Sequence, residues 1–438
     1  MANVVAFLVP HGTRAIRARR HLAIALVLAL AALLLGAVLA EGSFSTPRNL
    51  SAPGQSAVGP QVAVDSSGRA TVVWQRSDGV NSRIQTRRIA ADGTLEPIQT
   101  LSAAGESASD PQVAVDSSGG VTVVWERLDG AGNLRIQARQ VAANGTLEPV
   151  QTLSAAGEDG LHPQVAVNPG GKATVAWEWL VSPDQVQARQ IAADGTLEPI
   201  KTVAAAGDGP QVAADSSGRA TIAWTNGKVQ ARRVASDGTL EPVQTLSTSG
   251  GGPQAAVDSS DRVTVVWTHS DGGNNRAQAR RIGADGTTLG PVQTLSGAGQ
   301  DIVDPEVAID SSNRATVVWT QTPRFAATGQ VQARRIAADG DTLGPLHTLS
   351  GDEAIENQVA VNADGRATVV WVRFFRPYFR VQSRRIAADG TTLGSVQTLS
   401  DAGEDALDPE VVARSDEATV VWDRSDGANT RIQASQGS

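Results

Sequence analysis

Carboxylates at two positions of a repeated segment are the side chains of this sequence best suited to cation binding or proton transfer. The segment reads PQVAVDSSG at Pro60–Gly68 and returns seven more times in varied form. Its second position is Gln in six copies, but it is Glu306 and Glu410 in the other two. Asp304 and Asp408 lie two residues before those glutamates. This group could bind a cation or serve acid–base chemistry; the alternative is a solvated polar rim.

Aromatic and arginine side chains are concentrated in two segments, residues 321–329 and 372–380. Recognition surfaces are enriched in these residue types, which suit a glycan or an anionic ligand through stacking and bidentate hydrogen bonds. The alternative is a hydrophobic cap on the fold. The candidate ligand-binding residues are Arg324, Phe325, Arg373, Phe374, Phe375, Arg376, Tyr378 and Phe379. Trp179, the one Trp outside a regular pattern, is a further candidate, for which packing is the alternative.

Composition excludes several kinds of site. The 438 residues contain no Cys, so a disulfide framework, a thiolate nucleophile and a Cys-bound zinc are ruled out. Two of the five His lie in the first 40 residues, which leaves little for a His-based metal site. Each Asp-Ser-Ser-Gly turn offers one carboxylate, too few for calcium. We therefore expect neither a metal nor a cofactor.

The first 40 residues differ from the rest and resemble an export signal. Four arginines precede an uncharged run from Leu22 to Ala40, and Val38-Leu39-Ala40 fits the small-residue rule for cleavage. An uncleaved membrane anchor is the alternative, since 19 apolar residues nearly suffice to span a bilayer. Without this leader, 33 basic residues face 45 acidic residues, a net charge of −12. That balance argues against nucleic acid as a partner.

The repeat unit contains four short strands and no helical periodicity. Two strands flank the Asp65–Gly68 turn, where Asp accepts from backbone N–H groups and Gly adopts positive φ. A third strand, Arg83–Ala90, and a fourth, Glu96–Ser102, follow. Short strands at regular spacing with turn signals predict an all-β fold.

The strand count predicts a closed ring. A Trp ends the second strand of each unit at intervals of 43 to 52 residues, a period typical of solenoids, propellers and arrays. The first three strand types occur eight times, whereas the fourth occurs seven times within the repeats. Thr46–Ser51, before the first repeat, resembles the missing strand. Pairing it with the last unit removes exposed edges, so we predict an eight-bladed β-propeller of four antiparallel strands per blade.

The predicted domain is residues 41–438 after a leader of residues 1–40. The blades are expected near residues 60–102, 111–154, 163–204, 210–247, 253–296, 305–350, 357–400, and 409–434 with 46–51. The turns within strand pairs one–two and three–four share one face and barely vary. The remaining loops share the other face and vary, so we expect function there. Residues that recur in every unit, such as Arg87 and its analogues, are expected to be structural.

The unit resembles the propeller repeats of the NHL and sialidase-type (BNR) families. Pro60–Gln85 has the NHL order of apolar strand, Asp-x-x-Gly turn, second strand and Arg-Ile-Gln. The sialidase Asp-box spacing is absent. Eight Trp-bearing units are also similar to the Trp-docking motif of quinoprotein dehydrogenases. These resemblances imply the fold and little about function.

The sequence favours an exported, non-catalytic binding module, expected to be a monomer, which takes a glycan, peptide or protein ligand on the variable-loop face. A membrane would be contacted only through an uncleaved leader. The alternative is a carbohydrate-active enzyme, a sialidase-like hydrolase or lyase, that uses the carboxylates at the channel mouth. Tyr378 is the only Tyr and no arginine triad can be placed, which disfavours a sialidase. A quinoprotein is disfavoured by the absence of vicinal cysteines.

Overall fold

The computed structural model describes residues 42–323, 326 and 328–438. Residues 44–438 form one compact unit of thirty-two strands arranged in eight four-stranded antiparallel sheets. The leader prediction and the Arg324 and Phe325 predictions lie outside the described residues. Within those residues, no helix has the length and apolarity needed to cross a bilayer.

The first four blades follow one another along the chain, each with its four strands in sequence order. Blade 1 comprises β2 (Ala57–Val64), β3 (Ala70–Ser77), β4 (Ser82–Ile89) and β5 (Gln99–Thr100); blade 2, β6 (Ala108–Val115), β7 (Val121–Leu128), β8 (Leu134–Val141) and β9 (Gln151–Thr152); blade 3, β10 (Gly160–Val167), β11 (Ala173–Trp179), β12 (Gln185–Ile191) and β13 (Lys201–Ala204); blade 4, β14 (Asp208–Ala214), β15 (Ala220–Thr225), β16 (Val229–Val234) and β17 (Gln244–Ser247).

Blades 5 to 7 repeat this order, and blade 8 takes its fourth strand from the start of the chain. Blade 5 comprises β18 (Gly251–Val257), β19 (Val263–Ser270), β20 (Asn275–Ile282) and β21 (Gln293–Thr294); blade 6, β22 (Asp301–Ile309), β23 (Ala315–Thr322), β24 (Gln330–Ile336) and β25 (Leu343–Thr348); blade 7, β26 (Ala354–Val361), β27 (Ala367–Phe375), β28 (Tyr378–Ile386) and β29 (Gln397–Thr398); blade 8, β30 (Ala406–Arg414), β31 (Glu417–Ser425), β32 (Thr430–Gly437) and β1 (Arg48–Asn49).

Closure of the ring through β1 is confirmed. Arg48 pairs with Ala434 and Asn49 with Gln433 in an antiparallel register. The Leu50 backbone N–H continues the ladder by donating to the Ile432 carbonyl at 2.7 Å. The eight-bladed, all-β architecture predicted from the strand count is therefore the architecture of the protein.

The turn between the first two strands is built by an Asp or Asn side chain in blades 1 to 7. In blade 1, Asp65 Oδ1 accepts from the backbone N–H groups of Ser67 at 2.8 Å and Arg69 at 3.0 Å. Gly68 then adopts a φ of 86°, which a residue with a Cβ reaches only with strain. This geometry explains why the Asp-x-x-Gly pattern recurs, and it accounts for these carboxylates without a metal.

The register tryptophans fill the interfaces between blades. Trp74 packs with Val421 and Ile432 of blade 8, and Trp422 packs with Val372 and Val381 of blade 7. All eight are at most 1% exposed. Burial of about 200 Å² of aromatic surface at about 25 cal/mol per Å² contributes roughly 5 kcal/mol per interface, as an upper value.

Recurrent arginines link each blade to the preceding one through backbone carbonyls. Arg87 Nε donates to the Glu96 carbonyl of its own blade at 2.7 Å, and its Nη1 donates to the Leu50 carbonyl of blade 8 at 3.1 Å. Six analogues make the same pair of contacts in blades 2 to 7: Arg139, Arg189, Arg232, Arg280, Arg334 and Arg384. These arginines are structural, as their recurrence predicts.

The alternation of strand direction separates two faces. We call the face that carries turns such as Asp65–Gly68 the turn face. The opposite face, the loop face, carries the connections between blades and those between second and third strands. The innermost strand of every blade begins on the loop face, so its first residues encircle the mouth of the central channel.

Candidate functional site

A β-bulge shapes the channel mouth in every blade. The pairing of the first two strands shifts register just before the repeated Gln or Glu, for example between Val58 and Gln61. One bulge residue has positive φ in each blade: Gly59, Asp110, His162, Gly209, Gly252, Asp304, Glu356 and Asp408. Five of the eight have a side chain, although such backbone strain costs of order 1–3 kcal/mol per residue. Strain of this kind clusters at functional sites, so the bulge ring marks the mouth as a candidate site.

A cavity of about 770 Å³ occupies the channel mouth. It is lined by residues of blades 4 to 8 and of blade 1. Five carboxyl side chains line it, and so do the amides of several Gln and Asn residues. No Lys, Arg or His occurs among the lining residues of the described chain. The carboxyl groups are those of Asp304, Glu306, Glu356, Asp408 and Glu410. The structure therefore brings the four carboxylates singled out from the sequence into one cavity and adds Glu356.

Amides from neighbouring blades hold Glu306 and Glu410. Gln254 Nε2 donates to Glu306 Oε1 at 2.8 Å. Gln61 Nε2 donates to Glu410 Oε1 at 3.1 Å, and Gln358 Nε2 donates to the same oxygen at 3.4 Å. The substitution of Glu for the usual Gln thus creates an acceptor that the amides on adjacent blades can reach.

Both glutamates hold their protons more tightly than a solvated carboxyl. Burial, reinforced by the Asp408 carboxylate, raises the pKa of Glu410 to about 8, although the Gln61 hydrogen bond lowers it. Burial also raises the pKa of Glu306 well above its usual range, and Glu410 and Asp304 add to the rise. The two side chains retain some exposure to the channel, but the surrounding blades keep bulk water from solvating their charge.

A further buried carboxyl, Asp423, lies next to the lining residue Asp408. It was not singled out from the sequence. Its side chain is 7% exposed, and its Oδ1 has no hydrogen-bond partner among the described residues. Burial and the Asp408 carboxylate raise the pKa of Asp423 to about 8, against a lowering by the Gly59 backbone N–H. Asp408 and Gly59, which contact the Asp423 carboxyl, both line the cavity, so this carboxyl group lies next to the cavity lining.

A second acidic group occupies the mouth at blades 2 and 3. The His162 Nδ1 lies 3.0 Å from Glu178 Oε2, and the His162 backbone N–H donates to Glu126 Oε1 at 2.9 Å. Burial lowers the pKa of His162, but Glu178, Glu126 and Asp110 outweigh it and the net shift is upward. Burial raises the pKa of both Asp110 and Glu126. This group can hold a proton on the imidazole next to the channel.

Three of these carboxyls occupy one position that sequence reasoning missed. Glu126, Glu178 and Asp423 each follow the register Trp of their blade. The same position holds Gln75, Thr225, Thr268, Thr320 and Val372 in the other blades. In the sequence, the signal for these residues was a carboxylate in three copies of a position that is uncharged in the other five. No three of the described His, Asp and Glu residues converge closely enough to hold a metal ion.

The aromatic and arginine segment after Trp371 forms a β-hairpin, which we call the aromatic hairpin. It consists of the paired ends of β27 and β28, where Phe374 opposes Phe379 and Phe375 opposes Tyr378. The Phe374 and Phe379 rings are 4.8 Å apart. Phe379 also packs against the core between blades 7 and 8. Part of this segment is thus a hydrophobic cap, which was the structural alternative.

The outer part of the aromatic hairpin remains accessible on the loop face. Phe375 is 38% exposed, with the Arg373 and Arg380 guanidinium carbons 5.1 and 5.9 Å from its ring centroid. Arg373 Nε donates to the Asp352 carbonyl at 3.1 Å. Arg376 is 80% exposed and pairs with Glu353 at 3.2 Å. Phe375 and Arg376 are therefore the two hairpin side chains best placed to meet a ligand.

Trp179 is placed away from the aromatic hairpin. It ends β11, pairs with Gly160 and Gln185, and packs against the core between blades 2 and 3. This packing agrees with the structural reading of Trp179, and a ligand contact by it stays a prediction.

Comparison with known proteins identifies the fold alone. No protein-family model and no curated protein matches the sequence, so the resemblance to NHL and sialidase-type repeats stays a prediction. Among solved structures, the BP39L lectin from Burkholderia pseudomallei aligns at 11% identity over 79% of this chain and 100% of the lectin, with a TM-score of 0.55.

Two further structures align less closely. The α-L-arabinanase of Penicillium chrysogenum gives a TM-score of 0.40 at 12% identity, over 68% of this chain and 99% of the arabinanase. The polysaccharide lyase Uly1 gives 0.48 at 8% identity, over 87% and 89%. The chain is thus an eight-bladed β-propeller whose loop-face mouth carries a carboxyl- and amide-lined cavity.

Proposed function

We propose that this protein is an exported, non-catalytic binding module that takes a glycan at the mouth of the central channel. The observation that carries the proposal is the 770 Å³ cavity with walls of carboxyl and amide groups. Sugar hydroxyls both donate and accept hydrogen bonds, and carboxyl and amide side chains on rigid strands complement them. The structurally similar BP39L lectin suggests glycans as the first ligands to test.

The aromatic hairpin supplies a second contact surface on the same face. The partly exposed Phe375 ring offers a flat apolar surface, and Arg376 extends beside it with 80% of its side chain accessible. A ligand longer than one sugar ring can enter the cavity and also reach this surface. We propose that the hairpin contributes affinity for extended ligands, whereas the cavity sets which terminal group is accepted.

Export is part of the proposal because a ligand of this kind is met outside the cytoplasm. Its support is the sequence of residues 1–40, in which four arginines precede an uncharged run and a small-residue cleavage pattern. Mass spectrometry of the mature protein tests it. A mature N-terminus at Glu41 supports cleavage, and an intact leader in a membrane fraction supports the anchor instead.

A glycan array on residues 41–438 tests the binding function. Gln211 lines the cavity and pairs with Ala223 through its backbone, while its side chain makes no hydrogen bond to another described residue, so Gln211→Ala changes the wall without releasing a partner. Gln300, on an exposed loop outside the cavity, provides the matched control Gln300→Ala. We expect array signals that Gln211→Ala weakens and Gln300→Ala leaves unchanged. Signals that respond equally to both variants, or no signals, contradict a cavity-bound glycan.

A carbohydrate-active enzyme remains the second candidate, favoured by two glutamates whose pKa values are raised by burial. A carboxyl that keeps its proton at neutral pH can act as a general acid, and Glu306 and Glu410 both have raised pKa values. Glycoside cleavage by the wild type that either Glu306→Gln or Glu410→Gln abolishes would support the enzyme. Binding without turnover supports the module.

A further inference from the structure

The cavity is rich in hydrogen-bond acceptors and poor in donors. Three of its Gln amides are already committed, since Gln254 donates to Glu306 while Gln61 and Gln358 donate to Glu410. The Asn357 amide donates to the Asp304 carbonyl at 3.0 Å. The carboxyls of Asp304, Glu356 and Asp408 therefore face a space in which the protein supplies few side-chain donors.

The charged side chains of the cavity are also unbalanced, with acidic groups in excess of basic ones. Five carboxyls line the cavity without a Lys, Arg or His among the described lining residues. Elsewhere on the loop face, Arg424 donates to the Glu404 carbonyl at 2.8 Å and the exposed Arg376 pairs with Glu353. An anionic ligand would therefore meet no compensating cation among the described lining residues of this cavity, which disfavours anionic glycans.

An unpaired buried oxygen provides independent support for a missing donor. Asp423 Oδ1 has no partner although the side chain is 93% buried, and an unsatisfied buried acceptor costs of order 1–3 kcal/mol. It lies beside Asp408, whose backbone N–H already donates to Glu356 Oε2 at 3.0 Å. A donor that enters between Asp408 and Gly59 would meet Asp423 as well as the lining carboxyls.

The spread of the carboxyls favours an organic cation over a metal ion. A metal needs several ligands within about 2.5 Å of one point, and no three described His, Asp or Glu residues are grouped that closely. An ammonium group has three donors and no acceptor, and it can be attached to a ligand that spans the cavity. Its chemistry complements both the acceptor excess and the negative charge.

We propose that the channel-mouth cavity selects a ligand with a protonated amine, bound by Asp408, Glu356 and Asp423 beside the amide-held Glu410. The inference rests on the proposed glycan function in making that ligand an amino sugar. The same ammonium chemistry could come from a polyamine, and the experiment separates the two sources.

Oligosaccharides that differ only in N-acetylation measure the contribution of the amine to binding. Isothermal titration of residues 41–438 compares a glucosamine hexasaccharide, its fully N-acetylated counterpart and spermidine. The first two share a backbone and differ in the charged amine. We expect the glucosamine hexasaccharide to bind at least about tenfold more tightly than the acetylated one, because charge-assisted hydrogen bonds are the stronger class.

Variants of two cavity residues test whether the preference for the amine arises in the cavity. Asp408→Asn retains a residue type that tolerates positive φ, and Glu356→Gln keeps an acceptor for the Asp408 N–H. Together they should remove the preference for the amine, whereas the exposed loop variant Glu158→Gln should retain it. Thermal melts confirm that each variant is folded, and the single variants replace the double variant if it does not fold.

Each outcome separates the inference from the function on which it rests. Equal or tighter binding of the acetylated hexasaccharide, sensitive to Gln211→Ala, overturns the inference and retains the glycan module. Binding of spermidine alone, lost in the Asp408 and Glu356 variants, supports the amine and overturns the glycan. Amine binding that survives those variants overturns the assignment to this cavity. No binding by any of the three probes overturns the inference, and the glycan array then decides the function.

Discussion

The backbone N–H of Asp408 donates to Oε2 of Glu356 on the preceding blade at 3.0 Å. Both residues occupy the bulge position of their blades, with φ values of 49° and 53°. The contact uses the strained backbone of one blade to fix the carboxyl of the blade before it. Side chains that face the channel are therefore positioned by their neighbours around the ring as well as by their own strands.

The stability of the protein should decline between about pH 4 and pH 8. An unfolded Glu titrates near about 4.3 and an unfolded Asp near about 3.9, whereas the folded pKa values of Glu410 and Asp423 are about 8. Between these limits the folded state holds more protons than the unfolded state, so this stability is full below about pH 4 and is lost as the pH rises through 8.

Melting temperatures at pH 5, 7 and 9 measure this decline. Glu410→Gln should flatten the profile, because an amide cannot ionise beside Asp408, Glu306 and the other mouth carboxyls. Glu158→Gln, which changes an exposed carboxyl, should leave it unaltered. A wild-type profile that rises from pH 5 to 9 would contradict the raised pKa values.

Leu50→Ala should destabilise the closed ring by about 2–5 kcal/mol. Leu50 is fully buried next to β1 and packs in the cluster shared by blades 8 and 1. Val80→Ala is the matched control, since Val80 is 89% exposed on a loop. Chemical denaturation measures both, and equal midpoints for the two variants would show that the closing strand contributes little.

Arg334→Met should cost about 3 kcal/mol or more, since it removes two hydrogen bonds from a charged group that are worth about 1.5–3 kcal/mol each. Its guanidinium donates to the Gly344 carbonyl at 2.8 Å and to the Leu295 carbonyl of blade 5 at 3.1 Å. Lys228→Met removes an exposed cation without these links and should be near neutral. Urea denaturation compares the two, and similar free energies of unfolding would argue against a linking role.

The aromatic hairpin should separate into a stabilising and a ligand-facing half. Phe379→Ala should lower the free energy of unfolding by about 3 kcal/mol or more, because Phe379 packs into the core between blades 7 and 8. Phe375→Ser and Arg376→Ala should leave stability nearly unchanged and weaken capture of an extended glycan.

Simultaneous replacement of Arg373, Arg376 and Tyr378 by Ala tests the ligand-facing half further. Glycan capture and the melting temperature are measured for this triple variant and for the wild type. If capture by the folded triple variant equals that of the wild type, the hairpin is a cap and no more.

The sequence was sufficient for the fold because the decisive signals are repeated. Eight Trp positions and the strand-like Thr46–Ser51 predict the ring and its closure, and β1 pairing with β32 confirms them. Glu306, Glu410, Asp304 and Asp408 could also be placed at the mouth, since the first residues of inner strands must gather there.

The rest of the site depends on features that strand periodicity does not predict. The bulge shifts the register by an extra residue, and positive φ at Glu356 is not a preference of that residue type. Asp423 approaches Asp408 because it pairs opposite Leu407 at the bulge of the same blade, whereas its approach to Gly59 depends on how tightly blade 8 packs against blade 1. Only the recurrence of a carboxylate after the register Trp, at Glu126, Glu178 and Asp423, offered a clue.

The pairing of Asn49 with Gln433 also constrains biosynthesis. A ribosome that stops before Thr430 releases a chain with no partner for β1, and the Trp74 cluster then lacks Ile432 and Ala434. Such a fragment exposes an apolar edge that chaperones and proteases recognise. Strand β32 thus acts as a check on assembly, because only a chain that contains it can bury the hydrophobic interface of blade 1.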